Sequence, residues 1–424
     1  MSGTGAKSRS GLPAYQIAAV AIGNALQFYD FLTYGFFASQ IGYAFFPSKD
    51  ATASLIASLA TFGAGYLTRP VGAVLIGIFG DRVGRKPAML LSFALMTVGI
   101  LGLALTPSYE RIGIAAPICA VAFRLIQGFG LGGEVGPSTA FLMEAAPPAR
   151  RGFYVSLQYM TQDAAVLLAG LIGFGLANTL TAAALNQWGW RLAFLLGAGL
   201  VPIGFILRSR LPETLQARGP QATECTEAAS FRTPLIGLLM LSAATVCIVV
   251  MNYMTTFAIH TLGLQTNISF LATVTLGLVG VLSDPVAGWL CDRFGRKPVM
   301  TVPWTLLLLI VVPCFGYLIH HPSRPSLLAC TALLNIPICI TAVSVLVSVA
   351  ESVPQRSRSA MIATLYAISA TVFGGSTQLV VTWLIHTTGS PFAPAWYMAG
   401  AAAVGLLAMC FARETVPRRV SSRD

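Results

Sequence analysis

Residues 81–87 read DRVGRKP and residues 292–298 read DRFGRKP. Six of the seven positions are identical, and the copies lie 211 residues apart in a chain of 424. Each copy is a short charged turn between two long apolar runs. A repeat at half the chain length predicts two homologous halves. Two more signals recur in the same order. Glu144, Pro147 and Arg151 keep the spacing of Glu351, Pro354 and Arg358, and Pro212-Glu213-Thr214 is echoed by Arg413-Glu414-Thr415.

Composition says where such an object lives. Hydrophobic residues make up 55% of the chain and charged residues 10%, against roughly 25% charged in a soluble domain. A soluble fold of this length needs far more charge on its surface, so the chain is an integral membrane protein. The net charge of +11 is spread in small groups between apolar runs. That pattern fits loop charges that set topology, and it argues against a nucleic-acid partner. Eight cysteines, mostly inside apolar stretches and without CxxC spacing, read as small buried hydrophobes. The four histidines are scattered near loop ends, so no metal site and no cofactor are expected. The first apolar run carries Asn24, Gln27 and Asp30 and lacks a cleavage site, which fits a retained first membrane helix.

A membrane helix needs about 20 mostly apolar residues. Twelve such runs are present, near 15–38, 53–79, 87–106, 112–140, 153–180 and 190–208, then 233–259, 267–291, 298–319, 326–349, 359–385 and 393–412. The expected fold is all-α, with an N-terminal six-helix bundle over 1–208, a polar linker over 209–231 and a C-terminal six-helix bundle over 232–424. With a cytosolic N-terminus, 20 basic residues fall on cytosolic segments and four (Lys49, Arg111, Arg191, Arg324) on external ones. Such asymmetry predicts that both termini are cytosolic in a bacterial-type plasma membrane.

Charges inside the spans are few: Asp30, Arg69, Arg124, Glu134, Asp163 and Asp284. Each costs on the order of 3 kcal/mol at a helix centre, so each needs a partner or a cavity. Asp30 sits about 22 Å into the first helix, where a carboxyl can carry a proton. Arg124, midway along the fourth run, is its natural partner, and the depths allow the two within about 10 Å. A static salt bridge is the alternative. Arg69 binds substrate or braces the first half against Glu134. Asp163 is read as a salt bridge or a transport residue, and Asp284, next to Pro285, as a second proton site or a charge at a kink. Gly128, Gly130, Gly132 and Gly133 let the fourth helix pack closely; with no preceding strand, their spacing is not a nucleotide site. A polar midplane site is expected from Asn24, Gln27, Tyr34, Gln127 and Gln158 with Asn252, Tyr253, Asn335, Tyr366 and Gln378, each of which alone also fits helix packing.

Twelve runs in two sixes with DRxGRKP after the second and eighth resemble the major facilitator superfamily over essentially the whole chain. Residues 23–38, Arg69-Pro70, RLIQGFGLGGE at 124–134 and WGWRLAFLLG at 188–197 resemble its metabolite–proton symporters, the citrate and tricarballylate transporters among them. The resemblance implies a secondary transporter in which Asp30 and Arg124 couple protons to uptake of a small organic anion, such as a di- or tricarboxylate, in a monomer. It also implies a conformational latch at the cytosolic face, built from Asp81, Arg82, Gly84, Arg85, Glu144 and Arg151 and from Asp292, Arg293, Gly295, Arg296, Glu351 and Arg358. There the glycines permit a tight turn, the basic residues anchor at headgroups and the aspartates cap the following helix or pair with arginine. Asp284 departs from the citrate-like pattern. Alternatives are transport of another small solute, such as an osmolyte or aromatic acid, drug–proton exchange, or a non-transporting sensor on the same fold. No nucleophile–base pair or phosphate loop points to an enzyme.

Overall fold

The computed structural model of the protein describes residues 25, 28, 29, 31–83, 85–132, 139, 142, 143, 146–209, 232–353 and 358–414. Asn24, Gln27, Asp30, Gly84, Glu134 and Glu144 lie outside the described residues, as does most of the 209–231 linker. Asp81, Arg82, Arg85 and Arg358 are described as helical backbone only.

The described chain is helical nearly throughout. The first half contains α1 (Ala38–Phe45), α2 (Ala51–Leu67), α3 (Arg69–Val83), α4 (Arg85–Leu105), α5 (Ala115–Gly132), α6 (Arg151–Thr179) and α7 (Trp190–Ser209). The second half contains α8 (Arg232–Asn252), α9 (Met254–His260), α10 (Thr266–Phe294), α11 (Arg296–His320), α12 (Arg324–Ser352), α13 (Arg358–Ser369), α14 (Gly375–Thr388) and α15 (Ala393–Phe411). Among the described residues, ten helical stretches are long and apolar enough to cross a membrane, and the third predicted run adds a shorter one over Leu90–Leu105. The first run extends past the expected end at residue 38, because FFASQIGYAF continues the apolar helix to Phe45.

Local chemistry sets the breaks. Asp50 caps α2 by accepting from Thr52 N at 2.9 Å, and Ser323 and Ser326 form a capping box before α12. α2 and α3 form one span interrupted at Thr68. Pro70 has no N–H for the carbonyl of Tyr66, four residues back. Thr371 from the π-helical turn Ala370–Gly374 donates to that carbonyl at 3.0 Å, so a freed backbone acceptor in one half is satisfied by the other.

The halves meet along α6 and α10. Gly152 faces the Gly288 backbone at one end of this seam, Gly277 faces Leu167 midway, and Gly173 faces Phe270 at the other end. Small residues let the two backbones approach, which is how helices bind where burial from water gives no drive. Close packing also holds within the first half: a Cβ on Gly128 of α5 would overlap the Gly65 carbonyl of α2. At the end far from the DRFGRKP turn, Ser39 Oγ lies 2.6 Å from His260 Nε2, and Asn267 Nδ2 donates to Asn178 Oδ1 at 3.1 Å.

Candidate functional site: a central cavity and a charged seam

Between the halves lies a cavity of about 90 Å³, room for a few waters. Arg69, Asp163, Asp284, Cys339, Tyr159 and Tyr366 are among its walls. Of the predicted site residues, Arg69, Asp284, Asn252, Asn335 and Tyr366 line it.

Arg69 is 5% exposed and lies over two rings, 3.9 Å from the Tyr66 centroid and 4.2 Å from that of Phe31. Arg124 is 0% exposed, and its guanidinium lies 4.0 Å from the same Phe31 ring. Two buried cations thus share one aromatic ring, an arrangement favoured by the ring quadrupole. Arg124 Nη1 donates to Gln127 Oε1 at 2.7 Å and to the Phe31 carbonyl at 3.4 Å. Its Nε and Nη2, and Nε of Arg69, have no hydrogen-bond partner among the described residues. Three buried donors left open on adjacent guanidiniums are costly unless an anion meets them.

The carboxylates stand nearby. Asp163, Asp284 and the Cys339 thiol have ligand atoms within 4.8 Å of one another. Neither aspartate forms an ion pair among the described residues. The salt-bridge alternative considered for Asp163 therefore has no partner here. Sequence spacing showed no metal-like cluster; the fold assembles this one from three helices.

Other predicted residues lie off the cavity wall. Gln127 is occupied by Arg124, Gln158 accepts from Thr139 Oγ1 at 2.7 Å, and the Tyr253 hydroxyl accepts from Thr382 at 2.8 Å. Tyr34 stacks on Phe62, and Gln378 Oε1 is open among the described residues. Asn335 lines the cavity but spends Nδ2 on the Leu276 carbonyl at 3.0 Å. The sequence reading missed Tyr66, Tyr159, Gln162 and Cys339. Tyr159, Gln162 and Asp163 stand at i, i+3 and i+4, so helical periodicity was the signal that would have grouped them.

The second DRFGRKP turn is built as a closed charge network. Gly295 takes φ +97°, a left-handed turn that favours glycine, between α10 and α11. Arg296 grips Glu351 bidentately, Nε to Oε2 at 3.0 Å and Nη2 to Oε1 at 2.9 Å, lies 3.5 Å from Asp292 and donates Nη1 to the Cys291 carbonyl at 2.8 Å. Asp292 was expected to cap the helix that follows it or to pair with arginine. It pairs with Arg296, but it caps α6 of the other half, accepting from Gly152 N at 2.8 Å and Phe153 N at 3.0 Å. The last turn of α10 packs on the start of α6, so those N–H groups are the ones within reach. α11 is capped instead by Glu414, which accepts from Arg296 N at 3.0 Å and Lys297 N at 2.9 Å. A carboxylate on a helix N-terminus is favoured by open N–H groups and by the dipole. The three repeated sequence signals thus converge, in the second half, on one cluster. Arg293 is exposed beside Trp289 and Phe294, and Arg151 Nε has no hydrogen-bond partner among the described residues.

Comparisons with known proteins agree with this architecture. Residues 16–230 match the "Sugar (and other) transporter" family model, and residues 239–424 match "Major Facilitator Superfamily". A citrate-proton symporter of Klebsiella pneumoniae is 35% identical over 402 residues, covering 93% of this chain and 90% of the relative. The alpha-ketoglutarate permease of Escherichia coli (strain K12) is 33% identical, covering 93% and 92%. A proline/betaine transporter of the same strain is 30% identical, covering 95% and 84%. Among solved structures, a partially occluded inward open form of the E. coli xylose transporter XylE superposes with a TM-score of 0.74 at 18% identity, covering 96% of this chain and 99% of that one. Family models over both parts of the chain, relatives at least 30% identical over most of their length and a cavity between the helices make the chain a membrane transporter of the major facilitator superfamily, not an enzyme.

Proposed function

We propose that the protein couples inward proton movement to uptake of a small organic anion, a di- or tricarboxylate such as citrate, by alternating access. The observation that carries this reading is the pair Arg69 and Arg124 on one Phe31 ring, with three buried nitrogens open. Arginine presents a fork that matches a carboxylate bidentately, and two forks suit a substrate with two carboxylates. The citrate-proton symporter and alpha-ketoglutarate permease relatives support the same class.

In this mechanism Asp30 pairs with Arg124 when ionised. Protonation of Asp30 releases the guanidinium, which then takes a substrate carboxylate, so proton and substrate favour one another. One proton moving down 100 mV supplies about 2.3 kcal/mol, roughly 50-fold accumulation of a neutral solute. A multiply charged anion needs more than one proton. Charge asymmetry along the sequence supports cytosolic termini in a bacterial inner membrane, with Asp292 and its paired arginine as a latch on the cytosolic side. The protein acts as a monomer.

A second reading is favoured by one observation, the aspartates that share the cavity with Arg69. A zwitterion would place its carboxylate on the arginines and its cationic end against an aspartate and the aromatic rings. Proline/betaine transporters among the relatives make this concrete. Counterflow in proteoliposomes against mono-, di- and tricarboxylates and betaines, with pH and Na⁺ varied, separates the two. Exchange of dicarboxylates but not betaines supports the first reading, and the reverse pattern removes it. Asp30→Asn is expected to lose uphill accumulation and keep part of the exchange.

A further inference from the structure

We propose that Asp163 of α6 and Asp284 of α10 form a second proton-binding site, a carboxyl pair that holds one proton between the two halves and fastens their seam while it is held. The inference deepens the coupling reading above, which requires more than one proton for a multiply charged substrate.

The geometry supports it in four ways. The two aspartates come from opposite halves at the most closely packed helix pair, where Gly280 of α10 leaves the space that the Asp163 carboxylate fills. One oxygen of each carboxyl lies within 4.8 Å of the other, and two carboxylates buried that close do not both ionise readily, so one of them holds a proton. Asp284 is 1% exposed, lines the cavity and has Oδ2 without a hydrogen-bond partner among the described residues. By helical rise, Asp163 lies about 18 Å and Asp284 about 15 Å from the DRFGRKP end, close to the middle of a bilayer core of about 30 Å.

The groups around the pair favour a proton over other charge. Tyr159 stands one turn before Asp163 on α6, and the Cys339 thiol of α12 donates to Asp163 Oδ2 at 3.8 Å. Tyr366 of α13, Tyr66 of α2 and Arg69 of α3 line the same cavity. The pair is thus surrounded by uncharged donors, with Arg69 as the cation of the cavity. Losing the shared proton leaves two carboxylates facing each other at membrane depth, where like charges repel strongly, and the repulsion acts along the line that separates α6 from α10. Proton release and opening of the seam are then one event.

The test uses purified full-length protein in liposomes without substrate, so it stands whether or not any carboxylate is transported. Infrared difference spectra on a pH jump are expected to show a protonated-carboxyl band that is lost in Asp163→Asn and in Asp284→Asn and kept in Asp30→Asn. Cys339 supplies a second readout. Its labelling by a small membrane-permeant thiol reagent, normalised to the exposed Cys410, is expected to rise about tenfold from mildly acidic to alkaline buffer, a usual coupling size. The double variant, whose amides carry no charge to repel or to lose, stays flat. Should an Asn variant fail to fold, Asp284→Glu must retain the band at a shifted frequency. Absence of the band in the wild type, or its survival in both Asn variants, overturns the proposal. So does a band that vanishes together with Cys339 protection only when Na⁺ or a divalent ion is added, because the site would then hold a cation.

Discussion

Two charged regions of this protein are handled in opposite ways. At the DRFGRKP end, Asp292, Arg296, Glu351 and Glu414 are paired with one another and with helix N-termini. Between the halves, Arg69, Arg124 and Asp284 keep polar atoms open among the described residues although all three are buried. Arg296 and Glu351 are buried too, with 2% and 5% of their side chains exposed, so for them the difference lies in partners. A closed network gains its stability within the protein and reads as a fastening. An open one is completed by something that arrives, a proton or an anion. The contrast separates frame from machinery in a chain where charge is scarce.

The largest expected effect tests the closed network. Arg296→Ala strands Glu351 and Asp292 in a buried position and is expected to cost about 3–5 kcal/mol, seen as lost melting temperature and folded yield in detergent. A variant that melts like the wild type would remove the claim that this cluster is a structural fastening. Opposite behaviour is expected at the buried arginines. Arg124→Met removes a cation with two donors open among the described residues, and because Asp30 can take up a proton in its absence, stability should stay nearly unchanged while transport is lost; marked destabilisation would mean Arg124 is braced after all.

Next in size is the functional cost of geometry at the same site. Arg69→Lys keeps the charge but not the fork, and loss of a charge-assisted bond worth about 1.5–3 kcal/mol lowers initial uptake roughly 10- to 150-fold with melting intact. Equal uptake by the lysine variant would reduce Arg69 to packing. The smallest effect belongs to the joint between the halves. Asp292→Asn weakens a carboxylate on the α6 N-terminus by about 1 kcal/mol, shifting the equilibrium about fivefold toward the open DRFGRKP end. Spin-label distances between exposed positions on the two helices, such as Phe153 of α6 and Val286 of α10, report the shift, and an unchanged distribution would show that Asp292 fastens nothing.

Much of this architecture was legible in one dimension. DRVGRKP and DRFGRKP announced the duplication, and apolar runs of about 20 residues announced the spans. The superfamily followed from both. The cavity was half legible. Arg69, Asp284, Asn252, Asn335 and Tyr366 stood out as polar residues within apolar runs, but so did Gln127, Gln158 and Tyr253, which turned out to satisfy neighbouring helices. Polarity inside a span says that a group needs a partner; it does not say whether the partner is a neighbouring helix or a ligand.

The sequence by itself determined that the chain is a membrane protein of many spans, where it turns and that the DRxGRKP turn is repeated, because hydropathy, proline, glycine and charged turns act over a few residues. Tertiary structure alone decided which charges meet. Asp292 reaches the backbone of Gly152, 140 residues away, in preference to the helix that follows it, and Asp163 meets Asp284 across the seam. Those pairings depend on the rotation and depth at which one helix packs on another. Glycine contacts such as Gly152 with Gly288 set both, and no local pattern encodes them.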